Sequence, residues 1–189
     1  VNTSDVEAVV EALGPNTRLV HVETPSNPMM SITDLKALAD ALRPRGVMLS
    51  VDATMMTPMM MRPLDLGVDV VVHSGTKFIS GHADTMGGVL LTRDPEIEQT
   101  IAFFQNAEGT ALAPFDCWLF LRGIKTLALR VERQMHLDKR AYFRWSPWKV
   151  RNTAIFGVLV PAAIFFAITN EIVRVLHSHI ARPSNRSLT

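Results

Sequence analysis

Val70 to His82 reads VVVHSGTKFISGH, and the fold turns on how this stretch is understood. The run VDVVVH, Val68 to His73, has the near-continuous β-branched character of a strand covered on both faces. Ser74, Gly75 and Thr76 end it in a tight small-residue turn, and Lys77 follows with apolar Phe78 and Ile79 directly behind it. In open α/β sheets ligands gather where strands end, so this turn belongs at a binding edge. A lysine cramped among small and apolar residues differs from one waving in water. Burial disfavours the ammonium form, lowers the pKa and makes the amine a nucleophile toward a carbonyl, so an aldehyde cofactor is the candidate ligand.

Working outward, Leu19 to Glu23 (LVHVE) and Val47 to Asp52 (VMLSVD) read as strands, and SITDLKALADALRPRG between them carries Ile32, Leu35, Leu38, Ala39 and Leu42 at helical spacing. Ser31 with Asp34 resembles a capping box, and Pro44 and Gly46 close the helix. Gly88 to Thr92 predicts a further strand, then Pro95 to Asn106 and Pro114 to about Arg140 predict helices. The fold class is α/β, a mostly parallel sheet with covering helices.

Asp52 closes its strand ahead of small Ala53 and Thr54. A carboxylate at a strand end can keep a pyridine nitrogen protonated, which makes the ring an electron sink. Ser74 and Thr76 offer hydroxyls to a phosphate without placing another cation beside the amine. On these residues alone, an N-cap and a surface lysine are an equally good reading of Asp52 and Ser-x-Thr-Lys.

The 189 residues are 48% apolar, enough for a buried core. A single cysteine, Cys117, excludes an internal disulfide and any multi-cysteine metal site, and within CWLFL it reads as a small buried hydrophobe. MMTPMMM, Met55 to Met61, reads as adaptable core packing. His73 and His82 have no third ligand at metal spacing and read as structural. GHADTMGG lacks the Gly-Lys-Ser/Thr of a P-loop, which disfavours nucleotide binding.

The net charge of +1 conceals a division. Up to Asp138 there are 11 Lys/Arg against 17 Asp/Glu, whereas from Lys139 onward 8 Lys/Arg face Glu171 alone. Residues 1–138 and 139–189 are therefore read as separate parts. From Asn152 to Asn170 there are nineteen uncharged residues. As a helix they span about 28 Å, close to a bilayer's hydrocarbon thickness. With Trp145, Trp148 and basic residues ahead of it, this run is expected to be a transmembrane helix in preference to a buried one. The same aromatic and basic flanks point to lipid rather than nucleic acid as the partner. The chain starts at Val1 in a helix-like pattern, which predicts an N-terminally incomplete product.

ETPSNP (Glu23 to Pro28), SVDAT (Ser50 to Thr54), RPLDLGVDVVVHSGTKFISGHADTMGG (Arg62 to Gly88) and AEGTALAPFDCWLFLRGIKTLALRVERQ (Ala107 to Gln134) closely resemble the Cys/Met-metabolism family of pyridoxal phosphate enzymes. The last stretch is most similar to its plant-type cystathionine β-lyase branch. The resemblance implies part of the large domain of a fold-type I enzyme, with pyridoxal 5′-phosphate as cofactor and a sulfur amino acid as substrate. It implies that Lys77 takes the cofactor covalently and then serves as base, that Asp52 pairs with the ring nitrogen, that Ser74 and Thr76 bind the phosphate and that Asn27 meets the ring hydroxyl. The implied reaction is β-elimination of cystathionine to homocysteine, pyruvate and ammonia, in a homo-oligomer with shared active sites, located in the plastid for the plant type or otherwise in the cytoplasm.

The chain departs from the family pattern at Ala53, where asparagine is usual, at Gly75, where alanine is usual, and near Ala83, where a serine is usual. The family's glycine-rich phosphate turn, ring-stacking aromatic and substrate-carboxylate arginine have no counterpart in the sequence. The resemblance therefore implies weak cofactor binding and little or no turnover by this chain alone. YFRWSPWKVRNTAIFGVLVPAAIFFAI in the tail is similar to the single-span segment of a respiratory complex I accessory subunit. That similarity implies the alternative of a mitochondrial inner-membrane protein carrying a passenger lyase segment.

Overall fold

The computed structural model describes residues 1–141, with side chains described through residue 136. Each predicted strand forms: β1 (Leu19–Glu23), β2 (Met48–Asp52), β3 (Val70–Ser74) and β4 (Gly88–Thr92) make one sheet in the order β1-β2-β3-β4. The first three run parallel, with His21 opposite Ser50 and Glu23 opposite Asp52, and Asp52 in turn opposite Val72. β4 returns antiparallel, pairing Ser74 with Gly88. Parallel pairing places the carboxyl ends of β1, β2 and β3 at one edge, and that edge carries the site.

Strand alternation divides the sheet into two faces. Val22, Leu49, Val51 and Val71 join the core built with Leu35, Leu38, Ala39 and Leu42 of helix α2 (Leu35–Leu42). Helix α1 (Val6–Glu11) adds Val9 to the same core. By the same alternation His21, Ser50 and Asp52 look the other way.

α2 starts later than its apolar spacing suggests. Asp34 is itself the N-cap, its carboxylate accepting from the Ala37 amide at 3.0 Å, so the expected capping box from Ser31 does not form. Ile32 lies ahead of the helix and is 63% exposed. A single 3-10 turn, Arg43–Arg45, follows α2, and Gly46 at φ 64° supplies the left-handed stop.

After β2 the short helix α3 (Thr57–Met60) buries Thr57 and leaves Met55, Met59 and Met60 exposed. Of the methionine run, Met61 packs against the core as expected, whereas Met55, Met59 and Met60 do not. One four-residue helix has too few turns to bury every face, and the hydroxyl residue takes the inside. Past β4, Asp94 caps α4 (Pro95–Ala107) by accepting from Glu96 N and Ile97 N.

The single helix expected from Pro114 to about Arg140 is two, α5 (Pro114–Ile124) and α6 (Leu127–Ala141). The break coincides with a close approach: a Cβ on Gly123 would lie 2.2 Å from the Ser80 carbonyl oxygen. α5 buries Leu119, Phe120 and Gly123 and exposes Phe115, Trp118, Leu121 and Ile124. Cys117 falls on the exposed side, against the expectation of burial. Apolar character without helical periodicity gives no indication of which face turns inward.

Val1–Val131 form one compact unit, and a second begins at Glu132. The run 152–170, expected to be a membrane helix, and the rest of the tail with its respiratory-subunit similarity lie outside the described residues. Among the described residues no helix is long and apolar enough to cross a membrane.

Candidate active site

Asp52 ends β2 at 2% exposure. Its Oδ1 accepts the Thr54 amide at 2.8 Å, and Thr54 Oγ1 accepts the Ser74 amide at 2.7 Å. Thr54 thus ties the carboxylate at the end of one parallel strand to the end of the next. Ser74, the last residue of β3, is buried. Asp52 and Ser74 are in this way brought to one place by the sheet itself.

Lys77 follows in a wide helical turn, Gly75–Ile79, and interrupts it with φ −87° and ψ −111°. The turn is closed around it by Ser80 N to Gly75 O and Gly81 N to Lys77 O, each 2.9 Å. Lys77 is half-buried, and burial pushes its amine below the ordinary lysine value. Thr76 Oγ1 accepts the Gly87 amide at 3.0 Å and reaches Gly87 O at 3.4 Å. Its hydroxyl proton is thus weakly engaged.

Asn27 stands apart. It is exposed in the turn after β1, where its amide donates to Glu23 Oε2 at 3.2 Å. Asn27 follows β1 on the carboxyl edge of the sheet that also carries Asp52, the two strands pairing Glu23 with Asp52.

Three further ionisable side chains surround Asp52. His21 Nδ1 lies 3.1 Å from Ser50 Oγ, and burial lowers its pKa while the Asp52 charge opposes. His73, 3% exposed, is likewise lowered by burial, opposed by Asp52 and the Ala53 backbone. Its Nδ1 is buried without a hydrogen-bond partner. Glu23 is pushed up by burial, pulled down by the Asn27 amide and pushed up again by Asp52. Among the described residues no group of three or more His, Cys, Asp and Glu is placed to hold a metal.

A cleft of about 220 Å³ lined by Arg43, Gly46, Leu49 and Asp69 opens at the opposite, amino end of β2 and β3. It contains none of these groups, and the chemistry-bearing side chains identify the site better than concavity does. Sequence reading missed the bridging role of Thr54, the His21–Ser50 pair, and Arg130, which reaches the Lys77 turn from 52 residues away. The β-branched run and the small-residue turn mark where the strand ends; nothing local marks the groups that arrive from other elements.

The sequence profile of the Cys/Met metabolism PLP-dependent enzyme family matches residues 1–141. The chain is 48% identical over 134 residues to the chloroplastic cystathionine beta-lyase of Arabidopsis thaliana, covering 71% of this chain and 29% of that one. It is also 48% identical over 132 residues to the cystathionine gamma-lyase of Bacillus subtilis, covering 70% of this chain and 35% of that one. In three dimensions it superposes on the crystal structure of cystathionine gamma-lyase from Lactobacillus plantarum complexed with L-serine, with a TM-score of 0.72 and 38% identity over 78% of this chain and 39% of that one. The chain thus spans about a third of the length of these relatives. With a family profile covering 141 residues and a matching fold, the chain belongs to the Cys/Met-metabolism family of enzymes, whose cofactor is pyridoxal 5′-phosphate.

Proposed function

We propose that the chain carries the lysine-bearing part of a carbon–sulfur lyase site, with Lys77 as the residue that holds pyridoxal phosphate, and that its substrate is a sulfur amino acid of the cystathionine type. One observation supports this above the others: an amine kept below its ordinary pKa by burial follows the strand end that Thr54 joins to a buried carboxylate. The donor set fits the cofactor. Lys77 supplies a nucleophilic amine for an aldehyde, Asp52 an anion for a pyridinium, and Ser74 and Thr76 uncharged hydroxyls for a phosphate.

When bound, the cofactor supplies the electron sink that lets bonds at the substrate's Cα and Cβ break. The chain's own residues do the rest. Asp52 Oδ1 accepts the Thr54 amide, and the carboxylate would hold a proton on the ring nitrogen of the bound cofactor. Lys77 Nζ, its pKa lowered by burial, would take a proton from Cα and return it to the departing sulfur. Ser74 and Thr76 orient the phosphate end, and Asn27 is assigned to the ring hydroxyl.

Within this class we favour β-elimination, releasing homocysteine, pyruvate and ammonia from cystathionine, because of the similarity of Ala107 to Gln134 to the plant-type enzyme. The chloroplastic relative supports a plastid location. The active unit is assigned as a homo-oligomer whose subunits share sites. Cofactor binding at Lys77 is the activity for which the described residues supply the groups, and it is the first thing to test. Titrating the purified chain with pyridoxal phosphate tests this: a visible absorbance band should grow in the native chain and be missing in Lys77→Ala. A well-folded native sample that shows no such band overturns the assignment.

A further inference from the structure

We propose that Arg130 is a positioning residue for Lys77, clamping the backbone just past the lysine and so fixing the direction in which the amine leaves the turn and how far water reaches it. The inference rests on the assignment of Lys77 to the cofactor.

Arg130 Nη1 donates to Phe78 O at 2.6 Å, and Nη2 donates to Ile79 O at 3.2 Å and to Gly123 O at 2.8 Å. Nε donates to Thr126 Oγ1 at 3.1 Å. Two acceptors are the carbonyls of the two residues that follow Lys77. The third belongs to α5 and the fourth to the link between α5 and α6. A planar guanidinium fork fixes several acceptors in set relative directions, which a point-charge ammonium cannot do.

The chain makes room for this fork. At Gly81, φ 71°, a Cβ would lie 2.1 Å from Arg130 Nη1. At Gly123 the Ser80 backbone already occupies the space a side chain needs. On the other flank of the lysine, a Cβ on Gly75 would meet the Phe120 ring at 2.5 Å. The turn is therefore gripped before Lys77 by the Phe120 ring and after it by an arginine. Since Lys77 itself leaves helical geometry, the turn's own ladder does not fix the side chain's exit, and the clamped carbonyls on its carboxyl side do. Burial is the cause that lowers the amine, and the clamp is what maintains that burial.

A purely structural staple would cost stability when removed and leave the amine's titration alone. Competitive acylation of the full 189-residue chain across a pH series, without cofactor, reads the Lys77 midpoint directly by peptide mass. Arg130→Met and Arg130→Lys are compared with the native chain, with circular dichroism checking the fold. Both variants are expected to raise the Lys77 midpoint by about half a unit, which lowers its labelling at pH 8 about threefold. Arg130→Lys keeps the cation, so a rise there cannot come from lost charge. An unchanged midpoint in folded Arg130→Lys overturns the proposal, and this variant decides if Arg130→Met does not fold. The readout needs no cofactor. Normal cofactor uptake with an unmoved midpoint overturns the clamp alone, while a midpoint that moves in a chain that never takes up cofactor overturns the lyase assignment alone.

Discussion

Thr54 Oγ1 accepts the Ser74 amide at 2.7 Å, so a side chain just past the end of β2 closes the end of β3. The same residue's amide holds Asp52 Oδ1 at 2.8 Å. Thr54→Val removes the acceptor and leaves a buried amide without a partner, at a cost of about 1–3 kcal/mol. Thr54→Ser keeps the oxygen and should retain most of the stability. Urea unfolding of the two variants checks this; equal stability of Thr54→Val and the native chain would show that the bridge does not matter.

Gly123 faces the Ser80 backbone, which cannot swing aside as a side-chain tip can. Alanine is the better helix former by about 1 kcal/mol. Even so, Gly123→Ala should destabilise by about 1–3 kcal/mol, since overpacking against backbone outweighs that gain. Gly14→Ala is the control: its nearest neighbour would be Thr17 Oγ1 at 3.9 Å, and its change should stay within about 0.5 kcal/mol.

Burial holds both His21 and His73 below the ordinary histidine value. The unfolded chain takes up protons at about pH 6.5, and the native chain does so only at lower pH. As pH falls through the window beneath 6.5 the unfolded state therefore gains protons first, and stability drops. His21→Gln should flatten part of this acid limb between about pH 6.5 and 5.5, measured as denaturation midpoints. Glu23, raised by burial, acts with the opposite sign at the lower end, because the native chain protonates it before the unfolded chain does. An acid limb as steep in His21→Gln as in the native chain would remove His21 from the account.

Leu38 of α2 is fully buried in the core cluster it shares with Val22, Leu49, Val51 and Val71 of the sheet. Leu38→Ala should cost about 2–5 kcal/mol, the transfer of the lost methyl groups plus the cavity left behind. Thermal unfolding monitored by circular dichroism gives the value.

Much of the scaffold was legible in the sequence. Leu19–Glu23 and Gly88–Thr92 form strands at the predicted bounds because β-branched alternation between turn residues is a local signal. That β4 pairs antiparallel, that Thr126 separates two helices, and that Cys117 and the methionines of α3 face outward depend on partners distant in the chain. The same holds at the site. Asp52, Ser74 and Lys77 were visible as strand-end chemistry. Thr54 looked only small, and Arg130 looked like one more basic residue of a helix, because hydrogen bonds to carbonyls far away in the chain leave no mark on spacing.

The lysine's assignment is tested most directly by reducing the native chain with borohydride in the presence of pyridoxal phosphate and mapping the modified peptide. One phosphopyridoxyl group on Lys77 is predicted, with loss of that group in Lys77→Ala and weaker uptake in Asp52→Asn. Modification spread over Lys36, Lys125 and other lysines with none at Lys77, in a folded sample, would contradict the account.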